Sequence, residues 1–214
     1  MAKLIYDEEL LEALKKVYDH DLKYFLEALT KPSSKLYARV NMLRVSPDQV
    51  IESIKSKGIE VFKDEEISEA IYFPIKGPER LEELELKIYV DKRAAESVML
   101  GANLYVPGVI KCDKRIRRDS EVCIIAPSGD VIAIGIAKMN CEEALTKQRG
   151  LFVEIIKSLY KSPHIIELQE YRDGLIYPQS LPAIITSKIL DPKPGEVVVD
   201  MCAAPGGKTG HMIE

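Results

Sequence analysis

Tryptophan is absent from this 214-residue chain, histidine occurs three times and cysteine four times. The cysteines stand at 112, 123, 141 and 202, and no two form a C-x-x-C pair. With so few histidines beside them, no zinc site is expected and no metal is assigned. Cys112, Cys123 and Cys141 read by default as buried free thiols in a reducing compartment. No stretch approaches about 18 uncharged apolar residues, so neither a transmembrane helix nor a membrane partner is expected. The N-terminus turns acidic at Asp7-Glu8-Glu9 and has no secretory pattern. A cytoplasmic location is expected. Scarce glutamine and 30% charged residues lean towards a thermophile's composition.

What is present suits a globular protein: 46% hydrophobic residues, in a length that holds one or two cores. The net charge of −4 is uneven. Residues 1–86 carry 13 Lys/Arg against 18 Asp/Glu, residues 87–165 carry 13 against 9, and residues 166–214 carry 4 against 7. Only the middle block is basic, which marks it as the part to meet a polyanion.

Local patterns divide the chain at the same places. Residues 7–29 repeat apolar side chains at helix spacing, and residues 36–45 alternate as a strand. Ser46-Pro47 reads as the cap and first turn of a helix that Gly58 ends. Strands follow at 59–62 and 70–75, which predicts a small α/β module over 1–86. Residues 87–165 read as a compact module of short strands and two small helices. A strand at 86–90 leads to a helix capped by Asp91 and stopped at Gly101. Strands at 120–126 and 131–139 are joined by a Pro-Ser-Gly-Asp turn. Asn140 and Glu143 have capping-box spacing for a helix over 141–147, and a further strand runs over 151–156.

The densest chemistry lies at residues 199–209, Val-Asp-Met-Cys-Ala-Ala-Pro-Gly-Gly-Lys-Thr. Val197 to Val199 predict a short buried strand running into Asp200. Gly206 and Gly207 let the backbone approach a ligand closely, and Lys208 opens a helix whose N–H groups would face an anion. Strand, glycine-bearing loop and helix start are the usual place for a nucleotide-like cofactor in an open α/β sheet. The chain contains at most the first such unit. Gly207-Lys208-Thr209 imitates the end of a Walker A motif, but its first glycine would fall at Cys202. A P-loop nucleotide binder is therefore the weaker reading. A plain turn would not need the Asp, Cys and Lys placed around it.

The loop, with Tyr177-Pro178-Gln179-Ser180-Leu181-Pro182 and Asp191-Pro192-Lys193-Pro194-Gly195-Glu196 before it, resembles the S-adenosylmethionine loop of the Sun-type (RsmB-like) RNA cytosine-C5 methyltransferases. The order strand, Ser-Pro, helix, Gly, strand from Arg39 onward resembles the N-terminal region of the same family. The resemblance implies S-adenosylmethionine as cofactor, contacted by Cys202, Ala203, Ala204, Pro205, Gly206, Gly207 and Lys208. It implies that residues 166–214 begin a Rossmann-like methyltransferase sheet. In that family one cysteine thiolate attacks C6 of cytosine and a second helps release the product. Both belong to motifs downstream of this loop. No catalytic residue is therefore expected before Glu214, and Cys202 is not the nucleophile.

A second resemblance falls in the basic block. Val90-Asp91, Gly101-Ala102-Asn103-Leu104-Tyr105-Val106-Pro107-Gly108-Val109, Gly135-Ile136-Ala137-Lys138-Met139 and Gly150 resemble a PUA domain, a small pseudo-β-barrel that binds structured RNA. One branch of the methyltransferase family carries such an insertion here. The plainer alternative is a generic barrel whose glycines only turn corners. Lys111, Lys114, Arg115, Arg117 and Arg118 cluster nearby, diluted by Asp113 and Asp119, and suit phosphates. Gly101 and Gly108 would admit a nucleic-acid backbone, and Tyr105 would stack on a base if exposed. The expected RNA contacts are Gly101, Tyr105, Gly108, Lys111, Lys114 and Arg115. In the PUA-bearing branch the partner is the acceptor end of tRNA. The chain thus reads as the N-terminal and PUA part of a tRNA cytosine-C5 methyltransferase, binding RNA without methylating it. The alternative is a stand-alone, non-catalytic PUA protein.

Overall fold

The computed structural model describes residues 6–147 and 149–214. In chain order the elements are α1 (Glu8–Tyr18), α2 (Leu22–Ala28), β1 (Lys35–Val40), α3 (Pro47–Ser56), β2 (Phe62–Lys63), β3 (Ala70–Pro74), β4 (Lys87–Val90), α4 (Lys92–Val98), β5 (Leu104–Tyr105), β6 (Val109–Cys112), β7 (Glu121–Ile125), β8 (Val131–Ala137), α5 (Cys141–Thr146), β9 (Leu151–Ser158), α6 (Gln169–Arg172), β10 (Ile176–Pro178), α7 (Leu181–Leu190) and α8 (Gly207–Ile213). Two compact units interleave along the chain. One is Met1–Ser33 with Lys76–Lys161, the other Ser34–Ile75 with Ser162–Glu214. This division differs from three consecutive segments at 1–86, 87–165 and 166–214.

The first unit holds a six-stranded sheet in the order β5-β9-β8-β7-β4-β6. Its strands are antiparallel apart from β4 beside β7. This is the barrel-like PUA fold expected from the sequence. Alternate residues of β4, β7, β8 and β9 turn inward with α4 and α5, placing Ile88, Val90, Val122, Ile124 and Phe152 in one core. Asp91 caps α4 as expected, accepting the Ala94 N–H at 2.7 Å. Asn140 does not cap α5 with its side chain. Its Oδ1 accepts the Arg118 N–H instead, so a long-range partner outcompetes the local one.

The second unit has a four-stranded antiparallel sheet in the order β10-β1-β3-β2. Ser46 and Gln49 complete a full capping box at α3, and Pro47 fills its first turn. Val50 and Ile54 of α3 pack on Ala38, Val40, Ile71 and Phe73, with Ile165, Leu168 and Ile176 closing the same core. Glu170 ties α6 to α3. Burial pushes its carboxyl pKa up, but hydrogen bonds from Lys57 Nζ and Ser53 Oγ, both 2.6 Å, outweigh this and hold it low. The strand expected through residue 45 ends at Val40, because Asn41 accepts the N–H groups of Arg44 and Val45 and turns the chain. The expected strand at Val197–Val199 is not formed. Val197 and Val199 are largely exposed, since no neighbouring strand pairs with them.

The thiols correct the sequence expectation. Cys112 ends β6, Cys141 starts α5, and the fold sets their Cα atoms 5.8 Å apart, joined as a disulfide. Cys123 alone of the three is a buried free thiol. Intracellular disulfides are rare outside hyperthermophiles, which accords with the composition. Thiol titration of the unreduced, denatured protein should find two free groups, Cys123 and Cys202. Four would refute the bridge. Cys112→Ser should lower stability by roughly 3 kcal/mol through the lost loop closure, read by urea melts with and without reductant.

Candidate cofactor loop and nucleic-acid interface

Arg39 on β1 is 3% exposed and organises the second unit's loop end. Its Nη1 donates to Gln179 Oε1 at 2.7 Å and to the Gly207 carbonyl at 2.9 Å. Its Nε and Nη2 grip both carboxylate oxygens of Glu214, at 3.0 and 2.8 Å. The guanidinium also lies 5.5 Å from the Tyr177 ring. A guanidinium only donates, so the amide oxygen of Gln179 must face it. The Gln179 Nε2 is then left buried without an acceptor.

Residues 200–209 form a loop closed on itself. Asp200 accepts the Cys202 N–H at 2.9 Å and the Thr209 hydroxyl at 2.6 Å. The Thr209 bond, then the Cys202 bond, hold the Asp200 pKa below its ordinary value. Gly206 starts α8 at φ +100°, a conformation that favours glycine. Ser187 of α7 donates to the Lys208 carbonyl at 3.2 Å. Cys202, Ala203, Ala204, Pro205 and Lys208 are exposed, and Gly206 and Gly207 half-buried. Four of the seven expected cofactor residues, Cys202 to Pro205, thus present small or compact side chains on a braced backbone, and Lys208 adds an exposed cation. The Thr209 hydroxyl is spent on Asp200 rather than turned towards a phosphate-bound cation, which counts against a P-loop.

Beside α8 lies a charge cluster that the sequence reading missed. Glu69 accepts from Lys188 Nζ at 2.9 Å and from Ser68 Oγ at 2.8 Å. His211 Nε2 lies 3.4 Å from its carboxylate. Burial, then the charge of Arg39, push the His211 pKa below its ordinary value despite Glu69 and Glu214. Arg39, Glu69 and His211 were missed because their partners come from distant parts of the chain.

In the PUA unit, a cleft of about 450 Å³ brings Tyr105 and Gly108 together with Arg93, Ser97 and Asn103. Tyr105 is 57% exposed. A side chain at Gly108 would place its Cβ 2.4 Å from that of Ala94, so this glycine lets the loop close on α4. Gly101 takes φ +102°. Lys111, Lys114 and Arg115 do not line this cleft; they lie on β6 and the turn after it. Lys111 Nζ sits 4.1 Å from the Tyr89 ring centroid. Arg115 is held by Asp113 at 2.8 Å and by Glu85, and its hydrogen bonds draw the Asp113 pKa down to about 2. Its charge is already matched. Arg93 and Asn103 could have been suspected from their places beside the Asp91 cap and inside the Gly101–Gly108 loop.

Comparison with known proteins places these features. The PUA domain family matches residues 86–159, and the family of 16S rRNA methyltransferase RsmB/F matches residues 187–214. A tRNA (cytosine(72)-C(5))-methyltransferase of Pyrococcus horikoshii is 38% identical over 213 residues, 98% of this chain and 55% of that protein. The tRNA (cytosine(72)-C(5))-methyltransferase NSUN6 of Mus musculus is 25% identical over 209 residues, 86% of this chain and 43% of that protein. The crystal structure of NSun6 from Pyrococcus horikoshii with SFG superposes with a TM-score of 0.84 at 38% identity, covering 96% of this chain and 55% of that one. The chain spans about half the length of these relatives.

Two outcomes follow from the buried charges. Arg39→Ala should cost roughly 2–3 kcal/mol, below the range for fully buried pairs because Glu214 keeps some solvent contact. Urea melts read the loss, and hydrogen exchange should rise first in α8. His211 has a lowered folded pKa, so the unfolded chain takes up the proton first as pH falls. Stability should therefore decline from about pH 6.5 downward, and His211→Gln should remove that slope.

Proposed function

Starting from a chain that belongs to the Sun-type (RsmB/F) RNA cytosine-C5 methyltransferases and carries a PUA domain, we propose that it is the RNA-docking and cofactor-loop part of a tRNA cytosine-C5 methyltransferase acting near the acceptor end. The observation that carries this reading is the braced loop at 202–208 in the same chain as the PUA cleft.

S-adenosylmethionine fits the loop. The Arg39, Asp200 and Ser187 contacts fix its backbone, the exposed side chains of residues 202–205 are small, and the orphan Nε2 of Gln179 is a buried donor beside Gly207. Cys202 through Lys208 would hold the cofactor, which supplies an electrophilic methyl group when bound. The exposed Cys202 thiol serves this loop through its backbone and is not the nucleophile. The reaction's nucleophile is assigned to none of these residues, and the role proposed for the 214 residues alone is RNA binding without methyl transfer. RNA docks through the PUA unit, with Tyr105 and the Gly101–Gly108 loop at the base and Lys111 and Lys114 at phosphates.

The 214-residue chain should transfer no label from S-adenosylmethionine to tRNA; transfer would place the catalytic groups within it. Changing Lys111, Lys114 and Arg115 together to Ala should weaken tRNA binding and lower its salt slope by about two units. Two rather than three are expected because Arg115 is paired with Asp113 and Glu85. Tyr105→Ala should weaken binding without changing the slope, since stacking releases no counterions. Trimming the unpaired 3′ end of the tRNA should weaken binding as much as the triple change. Parent-like binding and slope in the triple variant would remove the basic turn from the site.

A further inference from the structure

The second unit carries a surface that the reading above does not use. Its sheet runs β10-β1-β3-β2, with α3 between β1 and β2 and α6 between β3 and β10. This is the split β-α-β-β-α-β order. Both helices join the core on one face, α3 through Val50 and Ile54 and α6 through Tyr171. On the other face the two central strands carry Tyr37 and Tyr72, which are register partners, and Phe62 of β2 is the register partner of Tyr72.

The three rings form a row across the strands. Tyr37 and Tyr72 have centroids 5.7 Å apart, and Tyr72 and Phe62 5.6 Å apart at 26° between planes. Phe62 is 43% exposed, and both tyrosines are half-buried. The Tyr37 hydroxyl donates to Asp64 Oδ2 at 3.1 Å, which fixes the ring. Lys35 Nζ lies 4.1 Å from the Tyr72 ring centroid and Lys55 Nζ 5.4 Å from that of Phe62. Cross-strand aromatic pairs stabilise a sheet, but that role does not call for a cation at two of the rings or for leaving Phe62 in water. Rings on the central strands of such a sheet, with ammonium groups beside them, match the faces and phosphates of unpaired nucleotides.

We propose that Tyr37, Tyr72 and Phe62 are a stacking platform for single-stranded RNA, with Lys35 and Lys55 meeting its phosphates. Asp64 holds the Tyr37 hydroxyl within reach of the Lys35 charge, so a phosphate at Lys35 would take over part of an existing ionic contact. Two residues along β1 on the same face stands Arg39, under Gly207 of the loop, so a strand lying on the rings runs towards the cofactor loop. The inference rests on the chain acting on RNA, and it concerns a different unit from the PUA cleft.

The test uses the 214-residue chain and a short single-stranded pyrimidine oligonucleotide carrying 4-thiouridine. Crosslinks should map to peptides holding Tyr37, Phe62 or Tyr72. Tyr72→Leu should weaken binding about tenfold with an unchanged salt slope, as for one lost base stack. Phe62→Leu, at an exposed site where folding is not at risk, should weaken it less but measurably. Lys35→Gln should lower the slope. Parent-like affinity in Phe62→Leu and Tyr72→Leu, or crosslinks confined to the PUA peptides, overturns the platform. So does self-association of the parent chain that Phe62→Leu abolishes, which would give the face to a second copy. A parallel Tyr105→Ala arm separates the two readings. Weakening there with parent-like platform variants leaves the PUA reading standing and removes this one.

Discussion

One buried guanidinium holds the second unit's functional end together. Arg39 leaves a sheet strand and reaches an amide, a main-chain carbonyl and both oxygens of a carboxylate. Lysine could not replace it, because an ammonium offers no planar fork for the paired carboxylate bonds. Four of its five N–H groups are used inside the fold, so its charge is spent on shape. The loop above it can then keep small side chains and an open backbone, since its rigidity comes from below. Asp200 completes the brace from within by tying the loop's first residues to Thr209.

The two surfaces read here as RNA contacts use different physics. On the PUA unit, Lys111 and Lys114 offer charge that salt screens, while Tyr105 offers a ring beside a glycine-lined cleft. On the split sheet, three rings in register offer area and only modest charge. Discrimination for an unpaired end over a duplex would come from the rings, because paired bases do not present their faces.

Short-range features were legible. The Ser46-Pro47 helix start, the Asp91 cap and the alternation of the PUA strands depend on neighbours a few residues away, and the structure reproduces them. The family of the segment holding the loop at 200–209 was legible because its motif is contiguous. Features fixed by distant partners were not. The mates of Arg39 lie 140 to 175 residues away, and nothing local marks it off from the other arginines. Cys112 and Cys141 looked like lone thiols because only the packing of β6 against α5 brings them together. Val197 to Val199 had the composition of a strand, but a strand needs a partner. The pairing of Arg115 with Glu85 was hidden in the sequence, while Asp113 two residues earlier already hinted at its other partner.

The interleaved order of the units also sets a timetable for synthesis. β1 meets its edge partner β10 only after the whole Lys76–Lys161 stretch has left the ribosome. At about 5–20 residues per second that wait lasts on the order of ten seconds. The PUA barrel, made of consecutive strands, can close while β1, α3, β2 and β3 are still one strand short. The nascent chain therefore carries an open β1 edge for that interval, with Arg39 unsatisfied until residue 214 arrives. Growth temperature and translation speed thereby become determinants of yield for this topology, a dependence that the finished fold no longer shows.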